Sequence, residues 1–274
     1  MISFVGAGPG AADLITIRGA DRLAKADVVV WAASLVPKEV LDHCREGVEL
    51  HDSKHMTLEQ VTAVFAANPD AAIVRLHSGD PSIYSAIGEQ IAWCVAHERP
   101  FEVVPGVGAA AATAAAAGHE LTIPGLAQSV VLTRLAHRTA ASAAEGEQLR
   151  RLAQPGVTMA VYLSAARPEA LQDELLQLGS AYGPDTPVVI GERVSWPDER
   201  LVRSTVGELA TTLREMAVTT TVLVLVGEAL RRAEPPFRSH VYLPSFATSF
   251  RPSRSSDAAT YSPGRSARVS DGAS

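Results

Sequence analysis

Two glycine-rich turns constrain this chain more than any other feature of its sequence. The segment Gly6-Ala7-Gly8-Pro9-Gly10 follows an apolar N-terminal run, and Gly79-Asp80-Pro81-Ser82-Ile83-Tyr84 follows another. Glycine lets the backbone turn sharply and approach a ligand closely, and open α/β sheets bind ligands beyond the carboxyl ends of their strands. The two turns therefore predict one shared ligand site.

Short apolar runs alternate with longer amphipathic stretches, which indicates alternating strands and helices. The predicted strands are residues 2–5, 27–31, 72–76, 101–104, 129–133, 158–163, 187–192, 200–205 and 221–226. The predicted helices are residues 16–26, 36–44, 57–67, 85–96, 109–117, 145–152, 169–178 and 206–216. Because the strand runs are almost continuously apolar, we expect an α/β fold whose sheets are covered on both faces.

Four local signals predict helix boundaries. Thr16 has the chemistry of an N-cap. Thr57, with Gln60 three residues later, has the pattern of a capping box. Gly118 follows an alanine-rich run and is expected to end that helix, whereas Gly179 is expected to close the helix over 169–178.

The alternation of predicted strands and helices changes after Gly118. A length of 274 residues is typical of about two domains. We expect an N-terminal α/β domain over residues 1–118, which carries the glycine turns, and a C-terminal α/β domain over residues 119–244. Residues 245–274 are rich in serine, arginine and proline, with little apolar material to bury. This segment is therefore expected to be a disordered tail.

Composition narrows the classes of partner. The net charge is −6 and aromatic residues make up 5 % of the chain, without a basic stripe, so a nucleic-acid partner is not expected. Cys44 and Cys94 are too far apart for a zinc ligand set or a disulfide framework. The N-terminus lacks the basic region of a signal peptide, and the apolar runs are too short to cross a membrane. We expect a cytoplasmic protein.

A dinucleotide-binding oxidoreductase is the main alternative from the residues alone. Residues 6–11 match the pattern G-x-G-x-x-A of NAD(P)- and flavin-binding folds, but that pattern also needs an acidic residue at the end of the second strand. The second predicted strand ends at Trp31, and the residues after it are Ala32, Ala33 and Ser34. The missing ribose-binding carboxylate disfavours this alternative.

Two further site chemistries are disfavoured. His51 and His55 have the spacing of a helical metal-ligand pair, but the residues between them are typical of a loop and the glutamate of metalloproteases is absent. No metal is therefore expected. Ser78, Ser164 and Ser195 lack the glycine elbow of serine hydrolases.

Arginines follow the predicted strand at 129–133. Arg134, His137 and Arg138 lie within five residues of one another. Arginine guanidinium groups bind planar anions such as carboxylates through paired hydrogen bonds. The block is either a solvated turn or the rim of an anion-binding site.

Taken together, these segments resemble the tetrapyrrole methylase family, the S-adenosylmethionine-dependent methyltransferases of the cobalamin and sirohaem pathways. The resemblance covers about residues 1–230, in order. The motifs that carry it are Val5-Gly6-Ala7-Gly8-Pro9-Gly10, Arg75-Leu76-His77-Ser78-Gly79-Asp80-Pro81-Ser82-Ile83-Tyr84, Val104-Pro105-Gly106-Val107, Leu121-Thr122-Ile123-Pro124, Gln128-Ser129-Val130-Val131-Leu132-Thr133-Arg134, Pro187-Val188-Val189-Ile190-Gly191-Glu192-Arg193 and Ser195-Trp196-Pro197-Asp198-Glu199. Residues 52–60, the arginine block and residues 195–199 most resemble the branch that methylates a precorrin at C11, whether metal-free or containing cobalt.

The resemblance implies two α/β domains with mixed sheets, an inter-domain cleft that holds S-adenosylmethionine, and a homodimer. S-adenosylhomocysteine would be the product. Carried over motif by motif, the implied cofactor residues are Pro9, Gly79, Asp80, Ile83, Tyr84, Gln128, Ser129, Leu163, Arg193, Val194, Thr220 and Thr221. Catalytic roles would fall on Asp80, Tyr84 and Arg134, with Asp80 orienting the cofactor.

A tetrapyrrole carries acidic side chains, and the residues expected to bind them are Arg134, Arg138 and His77. Three alternatives stay open. One is a related methyltransferase that acts on another precorrin, on uroporphyrinogen, on RNA or on a protein. The others are the NAD(P)-dependent oxidoreductase and a binding module without catalytic activity.

Overall fold

Ten strands form two five-stranded sheets in the computed structural model, which describes residues 1–135, 146–231, 243 and 245–252. The strands are β1 (Ile2–Gly6), β2 (Val28–Trp31), β3 (Glu49–Asp52), β4 (Ile73–His77), β5 (Phe101–Val104), β6 (Ser129–Arg134), β7 (Val157–Tyr162), β8 (Pro187–Glu192), β9 (Arg200–Thr205) and β10 (Val222–Val226). The α-helices are α1 (Ile17–Ala24), α2 (Leu58–Ala67), α3 (Ile87–Ala96), α4 (Ala109–Ala117), α5 (Leu149–Leu152), α6 (Pro168–Leu176) and α7 (Leu209–Met216).

The first sheet has the strand order β3-β2-β4-β1-β5 and is parallel throughout. Strand β1 lies at its centre, with Gly6 opposite His77 of β4 and Val5 opposite Val104 of β5. Because these strands point the same way, the glycine-containing segments after β1, β4 and β5 all emerge at one edge of the sheet.

The second sheet has the order β6-β7-β10-β8-β9 and is mixed. Strands β6 and β7 are parallel, and the other neighbouring pairs are antiparallel. Arg134 lies opposite Tyr162, and Glu192 lies opposite Val222. The ends of β6, β7 and β8 and the start of β10 therefore share one edge. The predicted α/β class is confirmed; mixed pairing occurs in the second sheet only.

Both sheets are covered on both faces, as the continuous apolar strands predict. In the first sheet, Leu23 of α1 packs on one face and Phe65 of α2 packs on the other. In the second sheet, Leu171 of α6 packs with Leu213 of α7 on one face. Burying apolar side chains of this size from water is the main stabilising contribution to such a core.

Helix α4 follows the first sheet in sequence but packs against the second. Ala114 contributes to a core cluster with Leu223 and Leu225 of β10. A Cβ on Gly191 of β8 would lie closer than 3.0 Å to Thr113 of this helix, so small residues permit the approach.

By their contacts, residues 1–232 form one compact unit that contains both sheets. The domain boundary between residues 118 and 119 stays a prediction.

Several predicted helices are shorter in the structure. Residues 36–44 contain a 3-10 helix, Lys38–His43, rather than an α-helix, and the predicted helix over 206–216 begins with a 3-10 turn at Val206–Glu208 before α7. Helix α6 ends at Leu176 because Gln177 adopts an extended backbone, so Gly179 does not close it. Of the helix predicted over 145–152, α5 covers Leu149–Leu152.

The second compact unit covers residues 233–274. In its described part, Thr248 and Arg251 form an isolated bridge, and Nη2 of Arg251 donates to the carbonyl oxygen of Leu243 over 3.0 Å. Most of the predicted tail, residues 253–274, lies outside the described residues, so its disorder stays a prediction.

Candidate active site

The two glycine turns of the sequence are hydrogen-bonded to each other. The amide of Gly79 donates to the carbonyl oxygen of Gly8 over 2.7 Å, and the amide of Gly8 donates to the carbonyl oxygen of Gly79 over 3.2 Å. Both residues have a positive φ, +79° at Gly8 and +66° at Gly79, which favours glycine. The structure therefore brings the turns together at the carboxyl edge of the first sheet.

A third glycine turn, after β5, packs against the first two. A Cβ on Gly106 would lie closer than 3.0 Å to the carbonyl oxygen of Gly79 and to Cα of Gly6. The carboxylate of Asp80 accepts a hydrogen bond from the amide of Gly106 over 2.8 Å. Asp80 thus links the second turn to the third.

The Asp80 carboxylate is held in its ionised form. Burial opposes ionisation, but hydrogen bonds from the Ser82 hydroxyl and from the amides of Gly106 and Ser82 outweigh it, and the pKa of Asp80 lies below its usual value. The amide of Ser82 donates over 2.8 Å. Since both carboxylate oxygens accept hydrogen bonds from the protein, Asp80 holds the second and third glycine turns in place.

The loop after β8 reaches across to the first glycine turn. Nε1 of Trp196 donates to the carbonyl oxygen of Pro9 over 3.1 Å, and the amide of Ala11 donates to Oγ of Ser195 over 2.9 Å. A Cβ on Gly10 would collide with the Trp196 ring. The loop is stiffened by Arg193, whose guanidinium carbon lies 3.9 Å from the centre of the Trp196 ring.

Strained backbone is concentrated where the two sheet edges meet. The described residues other than glycine with a positive φ are Tyr84, Ala86, Glu98, Leu163, Arg193, Ser195, Ala217 and Thr221. All but Glu98 and Ala217 follow β4, β7 or β8, or directly precede β10. Such strain persists where the surrounding structure enforces it, and it is common at binding sites.

Four of these strained residues, Tyr84, Leu163, Arg193 and Thr221, are predicted cofactor residues. Thr221 accepts a hydrogen bond from the amide of Arg193 through its carbonyl oxygen over 2.9 Å. Leu163 is 71 % exposed, which is unusual for leucine at the end of a buried strand. The neighbouring Val194 is buried, and Thr220 is exposed. This part of the predicted set therefore lies together.

An aromatic pair joins the two edges. The rings of Tyr84 and Tyr162 lie 5.3 Å apart between centroids, and the guanidinium carbon of Arg134 lies 6.0 Å from the centre of the Tyr84 ring. Burial raises the pKa of both phenols, so they stay protonated at neutral pH. Sequence reasoning missed Tyr162; its place directly before Leu163, at the end of a strand, was the available signal.

Other predicted residues do not join this group. Gln128 precedes β6 and Ser129 begins it, so they lie at the far edge of the second sheet from Leu163, about 20 Å along the strand. Their role at the cofactor site stays a prediction. Arg138 and His137 lie outside the described residues. Ile83 is half-buried in the turn that contains Asp80, and its amide donates to the Asp80 carbonyl oxygen over 3.2 Å.

His77 is the last residue of β4 and is 7 % exposed. Burial, helped by the positive charge of Arg75, lowers its pKa to about 3. A neutral imidazole can donate one hydrogen bond but supplies no charge to attract an anion. Its predicted contact with a substrate carboxylate would therefore have to be a hydrogen bond.

Within residues 1–135, 146–231, 243 and 245–252, no group of three or more acidic, histidine or cysteine side chains could hold a metal ion. None of the helices in the same ranges is long and apolar enough to cross a membrane.

Residues 1–210 match the model of the family described as Tetrapyrrole (Corrin/Porphyrin) Methylases. A relative from Sinorhizobium sp., Precorrin-4 C(11)-methyltransferase, is 41 % identical over 253 residues, which cover 91 % of this chain and 98 % of the relative.

Two solved structures share the fold. The X-ray structure of a cobalt precorrin-4 methyltransferase of cobalamin biosynthesis has a TM-score of 0.79 and 38 % identity, over 84 % of this chain and 95 % of that chain. The uroporphyrin-III C-methyltransferase of Thermus thermophilus, solved in complex with S-adenosylhomocysteine, has a TM-score of 0.68 and 29 % identity, over 84 % of this chain and 93 % of that chain.

Proposed function

Because this chain belongs to the tetrapyrrole (corrin/porphyrin) methylases, we propose that it transfers a methyl group from S-adenosylmethionine to C11 of precorrin-4 during cobalamin biosynthesis. The observation that carries the proposal is the match, over nearly all of both chains, to the Sinorhizobium relative of that name. The solved cobalt precorrin-4 methyltransferase supports the same class of substrate.

The edge where the sheets meet suits the cofactor. S-adenosylmethionine combines a flat aromatic base, whose faces suit apolar contacts, with polar and charged groups. Leu163 offers an exposed apolar side chain, and the turns at Pro9 and Gly79 bring backbone close to the same edge. The residues that would hold the cofactor are Pro9, Gly79, Ile83, Tyr84, Leu163, Arg193, Val194, Thr220 and Thr221, with Asp80 fixing the turns. The Thermus methyltransferase in complex with S-adenosylhomocysteine supports this cofactor.

The chemistry would depend on orientation more than on any one catalytic group. When bound, S-adenosylmethionine supplies an activated methyl group on a sulfonium, and the electron pair of the broken bond stays on sulfur. Holding two reactants in line can lower the barrier by about 7–11 kcal/mol. The hydrogen-bonded turns, fixed by Asp80 and by Trp196, would provide that rigidity.

Arg134 would bind an acidic side chain of the macrocycle. Its guanidinium lies at the end of β6, beside the Tyr84 ring and at the edge that carries Leu163. The rings of Tyr84 and Tyr162 would pack against the flat macrocycle or the cofactor. Arg138, which lies outside the described residues, stays a predicted substrate residue.

We further propose a cytoplasmic homodimer of two-domain subunits. Both sheets end in edge strands with exposed apolar side chains, Phe101 and Val103 on β5 and Val130 and Leu132 on β6. Exposed apolar patches on edge strands favour association with another chain. Sedimentation of the purified protein would distinguish a dimer from a monomer.

The decisive experiment is a methyl-transfer assay with S-adenosylmethionine and precorrin-4. We expect the macrocycle to gain one methyl group while S-adenosylhomocysteine is released. A parallel assay with cobalt-precorrin-4 tests the cobalt-dependent alternative. Transfer to neither macrocycle would overturn the proposal.

Calorimetric titration separates the methyltransferase from the oxidoreductase alternative. S-adenosylhomocysteine should bind, and NADH should not. Arg134→Ala should raise the KM for precorrin-4 while leaving the affinity for S-adenosylhomocysteine unchanged. Arg214→Ala, at an exposed ion pair with Glu169, is the matched control. An unchanged KM in Arg134→Ala would contradict the role of Arg134, and binding of NADH alone would favour the oxidoreductase.

A further inference from the structure

Arg75 is an arginine of the first sheet with an unusual set of partners. It lies in the middle of β4, where burial lowers the pKa of its guanidinium to about 10. Nε donates to Oε1 of Gln90 over 3.2 Å. Nη1 is within hydrogen-bond distance of Oγ of Ser53 at 3.1 Å and of two carbonyl oxygens, those of Val30 and Leu76. All of these acceptors are neutral.

The positive charge of Arg75 is therefore not compensated. Among the described residues, Arg75 forms no ion pair, and its Nη2 makes no hydrogen bond. Buried charges in proteins are normally paired with an opposite charge, because an unpaired one is costly to remove from water. An arginine kept in this state has the charge and the free donor for an anionic ligand.

His77 supplies a second, independent sign of a missing partner. It lies two residues after Arg75, so both side chains are on the same face of β4. Nε2 of His77 is buried and has no hydrogen-bond partner in the structure. Orphaned polar atoms of this kind are rare in proteins and need an explanation.

We propose that Arg75 and His77 form a carboxylate-binding subsite that receives one acidic side chain of the tetrapyrrole. The free Nη2 of Arg75 donates to one carboxylate oxygen, and the neutral His77 ring donates to the other. This assignment rests on the proposed function, because it takes the acidic macrocycle as the ligand. Arg75 would thus be a second cationic contact for the macrocycle. It lies on the first sheet, whereas Arg134 lies on the second.

The test compares variants of the full chain in two tetrapyrrole assays, and calorimetric titration with S-adenosylhomocysteine checks the cofactor site. The first is the KM and kcat for precorrin-4. The second is fluorescence titration with uroporphyrin III, a stable tetrapyrrole whose side chains end in carboxylates. Arg75→Gln should weaken uroporphyrin III binding and raise the KM by at least about tenfold, since charge-assisted hydrogen bonds are lost. The affinity for S-adenosylhomocysteine should not change.

Arg99→Gln is the matched control. Arg99 is also held by carbonyl oxygens, those of Asn68, Pro69 and Ala71, but it precedes β5 at the opposite edge of the same sheet. Its replacement should leave both tetrapyrrole readouts unchanged. If Arg75→Gln fails to fold, two milder variants replace it. Arg75→Lys keeps the charge, and His77→Phe keeps a ring against Phe4. Each should weaken uroporphyrin III binding by about threefold.

The outcomes separate this inference from the proposed function. If the wild-type protein methylates precorrin-4 but the folded Arg75 and His77 variants bind tetrapyrroles as tightly as it does, the subsite is refuted and the proposed function stands. If the wild-type protein neither methylates precorrin-4 nor binds uroporphyrin III, both are refuted. Equal weakening in Arg75→Gln and Arg99→Gln would also refute the subsite, because it would indicate a general loss of stability.

Discussion

Nε1 of Trp196 donates a hydrogen bond to the carbonyl oxygen of Pro9 over 3.1 Å, across 187 positions of sequence. The indole comes from the loop after β8 of the second sheet, and Pro9 belongs to the glycine turn after β1 of the first. Gly10 leaves room for the ring, because any side chain there would collide with it. The second sheet thus helps to fix the shape of the first glycine turn.

Trp196→Phe should therefore weaken the binding of S-adenosylhomocysteine by about two- to tenfold. Phenylalanine keeps an aromatic ring against Gly10 but loses the hydrogen bond to Pro9, and such a bond contributes about 0.5–1.5 kcal/mol. Calorimetric titration measures the change. Trp31→Phe, at the end of β2, is the control for loss of an indole. Equal affinities in the two variants would argue against a role for the contact.

Gly106→Ala should destabilise the protein by about 1–3 kcal/mol, the usual cost of overpacking. The new methyl group would meet backbone atoms of Gly79 and Gly6, which cannot move aside without disrupting the joined turns. Denaturant unfolding measures the free energy. Gly88→Ala is the matched control: its Cβ meets nothing within 4 Å, and alanine is the better residue in the first turn of α3. The control should be neutral or stabilising.

Asp80→Asn should cost about 1.5–3 kcal/mol at neutral pH, because both carboxylate oxygens accept hydrogen bonds from amides, and the NH2 group of asparagine would face one of these donors and lose that bond. The pKa of Asp80 is lowered in the folded state. Its contribution is therefore fully present above its unfolded pKa, near 3.9, and is lost as the pH falls through the folded value.

The measurement for Asp80 is the difference in unfolding free energy between the wild-type protein and Asp80→Asn, followed from neutral pH into acid. The difference should be constant above about pH 4 and shrink below it. Asp70→Asn, at an exposed loop position, controls for removal of a carboxylate. A difference that grows in acid would contradict the assigned direction of the shift.

Helices with strong local signals were predictable from the sequence. The capping box of Thr57 and Gln60 forms at the start of α2, and α4 ends at Gly118, whose φ is +67°. Strand β3, in contrast, was not predicted. Its residues, Glu49–Asp52, are mostly exposed at the edge of the first sheet, so they carry no apolar pattern. Edge strands are defined by their pairing partners, which local sequence does not reveal.

The candidate site, too, was predictable only where it depends on local sequence. The pairing of Gly8 with Gly79 was predictable in outline, since both glycines follow strands of one parallel sheet. The contribution of Trp196 to the first turn was not, because it depends on how the second sheet presents its loops. The position of Gln128 was not predictable for a related reason: a motif gives the place of a residue in sequence, but the direction of β6 decides which edge of the sheet it occupies.

His77 should make the protein sensitive to moderate acid. Its pKa is lowered to about 3 in the folded state, whereas a histidine in the unfolded chain titrates near 6.5. Between these values the unfolded chain binds the proton more tightly, so stability falls as the pH drops below about 6.5. The slope from this one group is roughly 1.4 kcal/mol per pH unit.

Replacing His77 by phenylalanine removes this proton site while keeping a ring beside Phe4. The unfolding free energy of His77→Phe, relative to the wild-type protein, should be independent of pH above about 6.5 and rise steadily between about pH 6 and pH 4. Denaturant unfolding at a series of pH values measures it, and the exposed His55→Phe serves as the control for losing a histidine. A flat difference across that range would mean that the His77 ring accepts a proton as readily in the folded protein as in the unfolded chain.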